Sequence, residues 1–217
     1  MSARERILGR VREAASAPGD RAAAVRARLA SAGRQTAPVP ALAASVDEAR
    51  AAQFEAKLAA VDGTLTRLPS LEALPAALAE ALRARNLARA IRIGEEPDFA
   101  GLDWGGTDVT RGPGRLEEPA TLSRAFRGVA ETGTLALRSG PENPVTLTFL
   151  GETHFVVVRR SELLGGLEEL FAAARGAGAT PRTLNLVTGP SRSADIGATL
   201  QLGAHGPKAL HVFLIED

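Results

Sequence analysis

The sequence predicts an α/β fold in which a largely parallel sheet carries helices on both faces, preceded by an N-terminal helical segment. The first 60 residues are rich in Ala and Arg with helical spacing, whereas short β-prone stretches alternate with helical ones after Gly63. Residues 155–158 form a continuous apolar run, which is typical of a strand covered on both faces. Because this alternation indicates βαβ crossovers, we expect a helical extension over residues 1–60 and an α/β domain over residues 61–217.

The extension contains three predicted helices. Ser2 with Glu5 and Ser45 with Glu48 have the spacing of capping boxes, in which a hydroxyl and a carboxylate satisfy free N–H groups at the start of a helix. Another helix is predicted over residues 20–32, followed by a Pro-rich, extended connector at 35–41. No residue here has an obvious chemical role, so a helical appendage that packs on the core or on a partner is the interpretation.

The α/β domain is predicted to alternate between strands and helices in chain order. Local composition predicts strands over residues 64–68, 88–94, 107–112, 132–139, 153–160, 182–189 and 209–216. Helices are predicted over residues 70–85, 161–175 and 191–203, and weakly over 120–129. Because ligands of such sheets lie beyond the carboxyl ends of the strands, the turn at residues 188–193 is predicted to face a ligand as the chain enters the 191–203 helix.

Composition excludes several classes of function. The formal net charge of +1 over 217 residues argues against a general nucleic-acid binder. With no Cys, the chain cannot hold a disulfide, a thiolate-bound zinc or an iron–sulfur cluster by itself, and with three His and no close His pair a metal site is not expected. The polar start and the lack of a membrane-spanning apolar run predict a cytoplasmic protein with no membrane span.

The segment "TGPSRSAD" at residues 188–195 has the residues of an anion-binding turn. Small and polar side chains let the backbone approach a ligand, and free N–H groups at the start of a helix favour an anion. Arg192 adds a fork-shaped donor for carboxylate or phosphate. The candidate anion-binding residues are Gly189, Pro190, Ser191, Arg192, Ser193 and Asp195. The alternative is an ordinary turn capped by a serine.

The segment "GAHGPKAL" at residues 203–210 adds His205 and Lys208 as possible site residues. With a helix predicted over 191–203, these side chains stand roughly 18 Å from Ser191, too far to share one small ligand within a subunit. His205 then either bonds a carbonyl in its turn or contacts a second subunit of a homo-oligomer.

A third candidate stretch is "AETGTLALRSG" at residues 130–140. Glu131 beside a tight glycine turn is a candidate catalytic base or nucleophile, and Thr132, Gly133 and Thr134 are candidate ligand contacts. An exposed glutamate in a plain turn is the alternative. His154, at the entrance of a predicted strand, either faces a cleft or ends a loop.

Taken together and in this order, "AETGTLAL", "HFVVV", "TGPSRSADI" and "GAHGPKALHVFLIED" resemble the LUD-domain family and, within it, the small cysteine-free lactate utilization C proteins. The resemblance is strong over about residues 120–217 and consistent in layout from about residue 60. The matching motif positions are Glu131, Thr132, Gly133, Thr134, Gly189, Pro190, Ser191, Arg192, Ala194, Asp195, Ile196, His205, Gly206 and Pro207.

The resemblance implies a fold like that of ribose-5-phosphate isomerase and the CoA transferases (NagB/RpiA/CoA-transferase-like). It also implies a role in oxidising L-lactate to pyruvate beside separate iron–sulfur partner proteins, with a small carboxylate or phosphate as ligand. It names no cofactor for this chain. Family members often carry an Arg and a Leu-Pro pair between the Glu-Thr-Gly-Thr strand and the following His, whereas residues 139–155 have neither. That departure favours a divergent member with a shifted substrate.

Three hypotheses about function remain open at the level of sequence. The chain is a subunit of a lactate-oxidising system, a stand-alone enzyme of this fold acting on a phosphorylated or CoA-linked small acid, or a non-catalytic binding or scaffold subunit. In the first, Glu131, Ser191 and Arg192 line one pocket at the strand ends.

Overall fold

Six parallel strands form the main sheet. Among all described residues, in the main sheet and outside it, the strands are β1 Thr64–Leu68, β2 Ala90–Ile93, β3 Asp108–Arg111, β4 Ala120–Arg124, β5 Arg127–Val129, β6 Thr134–Arg138, β7 Thr153–Arg159, β8 Leu163–Leu164, β9 Leu184–Val187, β10 Arg192–Ala194, β11 Leu200–Leu202 and β12 Ala209–Ile215. In the main sheet the order is β1-β12-β7-β4-β2-β3, and every neighbouring pair is parallel. The predicted parallel sheet is therefore confirmed.

The computed structural model describes residues 2–15, 20–32, 39–116, 118–178, 180–194, 200–203 and 205–217. Its α-helices are α1 Ala3–Ala15, α2 Arg21–Ala32, α3 Asp47–Ala59, α4 Leu74–Ala84, α5 Val145–Phe149 and α6 Leu167–Gly176. Short 3₁₀ segments lie at Ala41–Ala44, Leu71–Ala73, Pro97–Phe99 and Arg160–Glu162. Within the described residues, no helix is both long enough and apolar enough to cross a membrane.

Contacts divide the chain into two units, residues 1–39 and residues 40–217. The first unit contains α1 and α2. Its predicted capping box is present, since Ser2 N–H donates to Glu5 Oε2 at 2.6 Å and Glu5 N–H to Ser2 Oγ at 3.2 Å. The second unit includes α3, which buries Phe54 and Leu58 completely against the sheet.

Helices cover both faces of the main sheet. On one face α4 places Leu78 and Leu82 against Phe155 of β7 and Phe213 of β12. On the other face, α3 packs against Val156 and Val158 of β7. Since β7 is buried on both faces, its apolar run is uninterrupted, as parallel strands require. The predicted α/β fold class is confirmed.

A second sheet lies on the α3 side, where Leu135 and Leu137 of β6 join the α3 core. Its order is β8-β5-β6-β9, with β6 antiparallel to both β5 and β9. Residues 120–129, predicted to be weakly helical, are instead strands β4 and β5. The helical prediction was wrong because the polar residues of β4 are buried in the sheet and bonded there. Thr121 Oγ1 donates to the Leu147 carbonyl at 2.7 Å, and Ser123 Oγ lies 3.0 Å from His154 Nε2.

Two predicted helices have different bounds or a different structure. The helix predicted over 161–175 begins only at Leu167, since residues 160–164 form a 3₁₀ turn and β8. The helix predicted over 191–203 is absent from the described part of that segment, which contains β10 and β11 as an antiparallel pair. Arg192 pairs with Leu202 in this hairpin, so local helical spacing is overridden by strand pairing.

Candidate binding site at the amino ends of two strands

The two Gly-Pro segments meet in space. Ser191 N–H donates to the Pro207 carbonyl at 2.8 Å, and the Ser191 carbonyl accepts from Gly203 N–H at 3.1 Å. His205 N–H lies 3.4 Å from Ser191 Oγ. The predicted separation of roughly 18 Å along a helix is therefore wrong, because a hairpin folds residue 203 back onto residue 191. We call residues 188–191 and 205–208 the turn cluster.

The turn cluster lies at the amino ends of β7 and β12 in the main sheet. Its residues 188–191 follow the carboxyl end of β9, as expected, but β9 belongs to the second sheet and not to the parallel sheet. Lys208 immediately precedes β12, and its N–H donates to the carbonyl of Glu152, which precedes β7, at 2.8 Å. At the opposite edge of the sheet, ion pairs join side chains of the chain itself. Arg159 Nη2 lies 3.0 Å from Asp98 Oδ2, and Arg160 Nη1 lies 3.0 Å from Glu216 Oε2.

Gly189 is packed against the protein and does not open a cradle of free amides. Its φ is +86°, and a Cβ placed there would lie 2.8 Å from the Val61 carbonyl oxygen. Pro190 has no N–H, and that of Ser191 is already bonded to Pro207. Within the described residues 188–194 no helix begins, so the helix terminus on which the predicted anion site was based is not found there. The glycine is needed for the turn and for the close approach to Val61.

Arg192 forms an ion pair with Asp62 across the surface. Both side chains are more than 40% exposed, at 44% and 58%, so solvent screens the pair. The guanidinium is therefore held by Asp62, in the turn that follows α3. The side chain of Ser193 and the whole of Asp195 lie outside the described residues.

A row of three threonine hydroxyls connects the second sheet to the turn cluster. Thr132 Oγ1 lies 2.7 Å from Thr134 Oγ1, which lies 2.6 Å from Thr188 Oγ1. The pairing of Leu135 with Val187 between β6 and β9 sets this spacing. Two of the predicted contact residues, Thr132 and Thr134, are thus brought toward the turn cluster. Thr188, which we did not single out, is the link.

Glu131 lies beside the start of α6. Its N–H donates to the Gly165 carbonyl at 3.0 Å, and its Oε2 would lie 3.1 Å from a Cβ built on Gly166, the residue before α6. Gly133, at φ +69°, packs against α3, with a built Cβ only 2.6 Å from Leu58 N. Of the two surface cavities that adjoin the turn cluster, Glu131 lines neither. The expected pairing of Glu131 with Ser191 in one pocket is therefore not found.

Two surface cavities adjoin the turn cluster. The smaller, of about 200 Å³, is lined by residues that include Thr188, Ser191 and Pro207. The larger, of about 430 Å³, is lined by residues that include Glu152 and Lys208. They share Phe149, His205 and Gly206. We call these two adjoining cavities the cleft. Its lining residues include Ser191, His205 and Lys208, although Lys208 Nζ is paired with Glu152 Oε1 at 2.8 Å.

The other two histidines lie in the sheet, away from the cleft. His154 is fully buried, and burial lowers its pKa from 6.5 to about 3. His211 Nδ1 lies 2.7 Å from Thr64 Oγ1, and burial, followed by the charge of Arg85, lowers its pKa to about 4. Both rings are neutral at pH 7. Of the alternatives for His154, a cleft or a loop end, neither applies, because its side chain is enclosed in the sheet.

Known proteins are similar to the part of the chain that contains these motifs. The family model of the LUD domain matches residues 119–215. An uncharacterized protein of Neisseria meningitidis is 39% identical over 100 residues, which are 44% of this chain and 42% of that protein. Lactate utilization protein C of Geobacillus thermodenitrificans is 34% identical over 107 residues, 46% of this chain and 44% of that protein. The chain thus spans less than half the length of these two relatives.

A solved structure extends the similarity of fold. The crystal structure of a DUF162 family protein from Deinococcus radiodurans superposes with a TM-score of 0.58 at 25% identity, covering 79% of this chain and 99% of that one. The match of the LUD-domain family model to residues 119–215 agrees with the resemblance that the sequence motifs predicted.

Proposed function

We propose that the chain is a component of a lactate-utilization system that oxidises L-lactate to pyruvate. Proteins that are 31–34% identical to about half of this chain are named lactate utilization protein C. The oxidation removes two electrons and two protons from lactate. Without cysteine the chain has no thiolates for a cluster, so separate iron–sulfur proteins accept the electrons.

One observation supports placing the ligand at the turn cluster: Ser191 and His205, distant in sequence, are hydrogen-bonded neighbours beside the cleft. The Ser191 hydroxyl and the His205 ring supply donors suited to a carboxylate. Lys208 adds a positive charge, which would interact with the bound carboxylate as well as with its ion-pair partner Glu152. A three-carbon hydroxy acid fits a cleft whose cavities measure about 200 and 430 Å³. Glu131 is given no step on this ligand, since it lies beside Gly166.

Growth of a strain that lacks this gene tests the proposal. Complementation with the wild-type gene is expected to restore growth on L-lactate as the sole carbon source. The double variant Ser191→Ala with His205→Ala is expected to slow that growth by about tenfold or more, because two donors to the carboxylate are lost. Growth on pyruvate is expected to be unchanged, since pyruvate lies after the oxidation.

A matched variant controls for general damage. Arg83→Gln removes an exposed side chain that pairs only with Glu80 within the described residues, far along the chain from the turn cluster. It is expected to complement fully. Normal growth of the deleted strain on L-lactate would reject the proposed role. Full growth with the Ser191, His205 double variant would reject the turn cluster as its site.

A second candidate function is a non-catalytic binding subunit of the same system. It is favoured by the ion pairs of Arg192 with Asp62 and of Lys208 with Glu152, which neutralise the cations nearest the turn cluster. Lactate oxidation reconstituted from purified iron–sulfur partners separates the two functions. Equal turnover per iron–sulfur protein with and without this chain, combined with its stable co-purification, would favour the binding subunit.

A further inference from the structure

Two adjoining cavities lie where β6 ends and β9 begins, apart from the turn cluster. The larger measures about 520 Å³ and the smaller about 270 Å³. They share a wall made of Arg138, Thr180, Pro181 and Arg182. The proposed lactate function uses none of these residues.

Strand pairing fixes the shared wall. Arg138 is the last residue of β6 and pairs with Leu184 of β9. Beyond the strands, Ser139 N–H donates to the Thr183 carbonyl at 3.0 Å, and Thr183 N–H donates to Ser139 Oγ at 2.9 Å. These reciprocal bonds hold the backbone on either side of the two arginines, so the wall is built by the sheet and is not a loose loop.

The shared wall carries an excess of positive charge. Among the described residues, Arg182 and Arg175 form no ion pair, and both line the smaller cavity. The guanidinium of Arg138 lies 5.1 Å from the ring centre of Phe126. Glu96 and Glu142 line only the larger cavity. An anionic group is therefore favoured at the shared wall.

Next to the arginines, the smaller cavity offers an apolar surface. Phe171 of α6 is 44% exposed and lines the cavity with Ala174, Pro181 and Leu184. An exposed aromatic ring beside the guanidinium groups of Arg175 and Arg182 suits a flat apolar group attached to a phosphate.

The larger cavity contains an unused hydrogen-bond acceptor. Asn143 is only 5% exposed, and its Nδ2 donates to the Arg138 carbonyl at 3.3 Å. Asn143 lines the larger cavity, and its buried Oδ1 finds no partner among the described residues. Because buried acceptors are normally paired, this oxygen is suited to a ligand hydroxyl or amino group.

We propose that these cavities bind an organic phosphate. Arg138 and Arg182 hold the phosphate at the shared wall, Phe171 contacts the flat apolar part of the ligand, and Asn143 Oδ1 accepts a hydrogen bond from a ligand donor. This site is separate from the turn cluster, so its failure would leave the lactate proposal intact.

Calorimetric titration of the full chain with ADP, coenzyme A and phenyl phosphate tests the proposal. At least one is expected to bind saturably with a dissociation constant of about 1 mM or below. Arg182→Gln is expected to weaken that binding about tenfold or more, as the loss of a charged hydrogen bond requires. Phe171→Ala is expected to weaken it about fivefold or more, with little effect on inorganic pyrophosphate.

Arg83→Gln is the matched control, since it removes one surface arginine outside both cavities. Its affinity is expected to equal that of the wild-type protein. The proposal is overturned if none of the three organic phosphates binds saturably below 10 mM. It is also overturned if Arg182→Gln binds as well as the control, provided both variants show the thermal unfolding of the wild type.

Discussion

Gly189 illustrates how one residue sets the position of the turn cluster. Its φ of +86° is a conformation that disfavours residues with a Cβ, and the Val61 carbonyl occupies the space a Cβ needs. Gly189→Ala is therefore expected to lower the free energy of unfolding by about 2–4 kcal/mol, measured by urea denaturation. Gly101→Ala is the control, because a built Cβ there meets no atom within 4 Å. An equal, small loss in both variants would contradict the close packing.

The two sheet histidines predict a dependence of stability on pH. Burial lowers the pKa of His154 to about 3. Burial, and to a lesser extent the positive charge of Arg85, lowers the pKa of His211 to about 4. The unfolded chain therefore binds protons first as the pH falls below 6.5, and stability present above that pH is progressively lost toward pH 3–4. At pH 5, each histidine is expected to cost about 2 kcal/mol.

Urea unfolding at pH 7.5 and pH 5 measures this loss. His154→Gln removes one titrating ring while keeping a side chain able to bond Ser123 Oγ, and it is expected to reduce the difference between the two pH values by about half. Imidazole NMR signals of His154 and His211 that titrate with a pKa near 6.5 would contradict neutral, buried rings.

At the scale of elements, α3 belongs to the core of residues 40–217. Phe54 is fully buried, so Phe54→Ala is expected to lower the free energy of unfolding by about 3–5 kcal/mol. Val25→Ala in α2 is the contrast, because Val25 is 53% exposed and is expected to change stability by less than about 0.5 kcal/mol. Circular dichroism during denaturation checks both. A near-neutral Phe54→Ala would contradict the packing of α3 in this core.

The sequence was informative about elements whose burial is uniform. β7 and β12 are buried on both faces, so their apolar runs identified them. β4 was missed because its Thr121 and Ser123 are bonded inside the sheet, where polar residues look like surface positions. The 191–203 hairpin was missed because its serine and its spaced apolar residues fit a capped helix equally well, and only cross-strand pairing distinguishes the two.

At the scale of the whole molecule, the motif residues were identified from the sequence but their arrangement was not. Ser191 meets Pro207 through a bond between residues 16 positions apart, and no local pattern encodes such a contact. Glu131 was expected beside Ser191 because one precedes a predicted strand and the other follows one. In the structure Glu131 lies beside the start of α6, whereas Ser191 lies beside Pro207. The row from Thr132 to Thr188 is the connection that the sheet provides instead.

Disulfide formation tests the meeting of the two Gly-Pro segments most directly, because the chain has no native cysteine. A Cβ built on Gly206 lies 3.4 Å from Ser191 Cβ, close to the separation that disulfides require. Ser191→Cys with Gly206→Cys is expected to lose both free thiols on mild oxidation as a monomer, while Ser191→Cys with Gly101→Cys keeps them. Two persistent free thiols in the first variant would contradict the turn cluster.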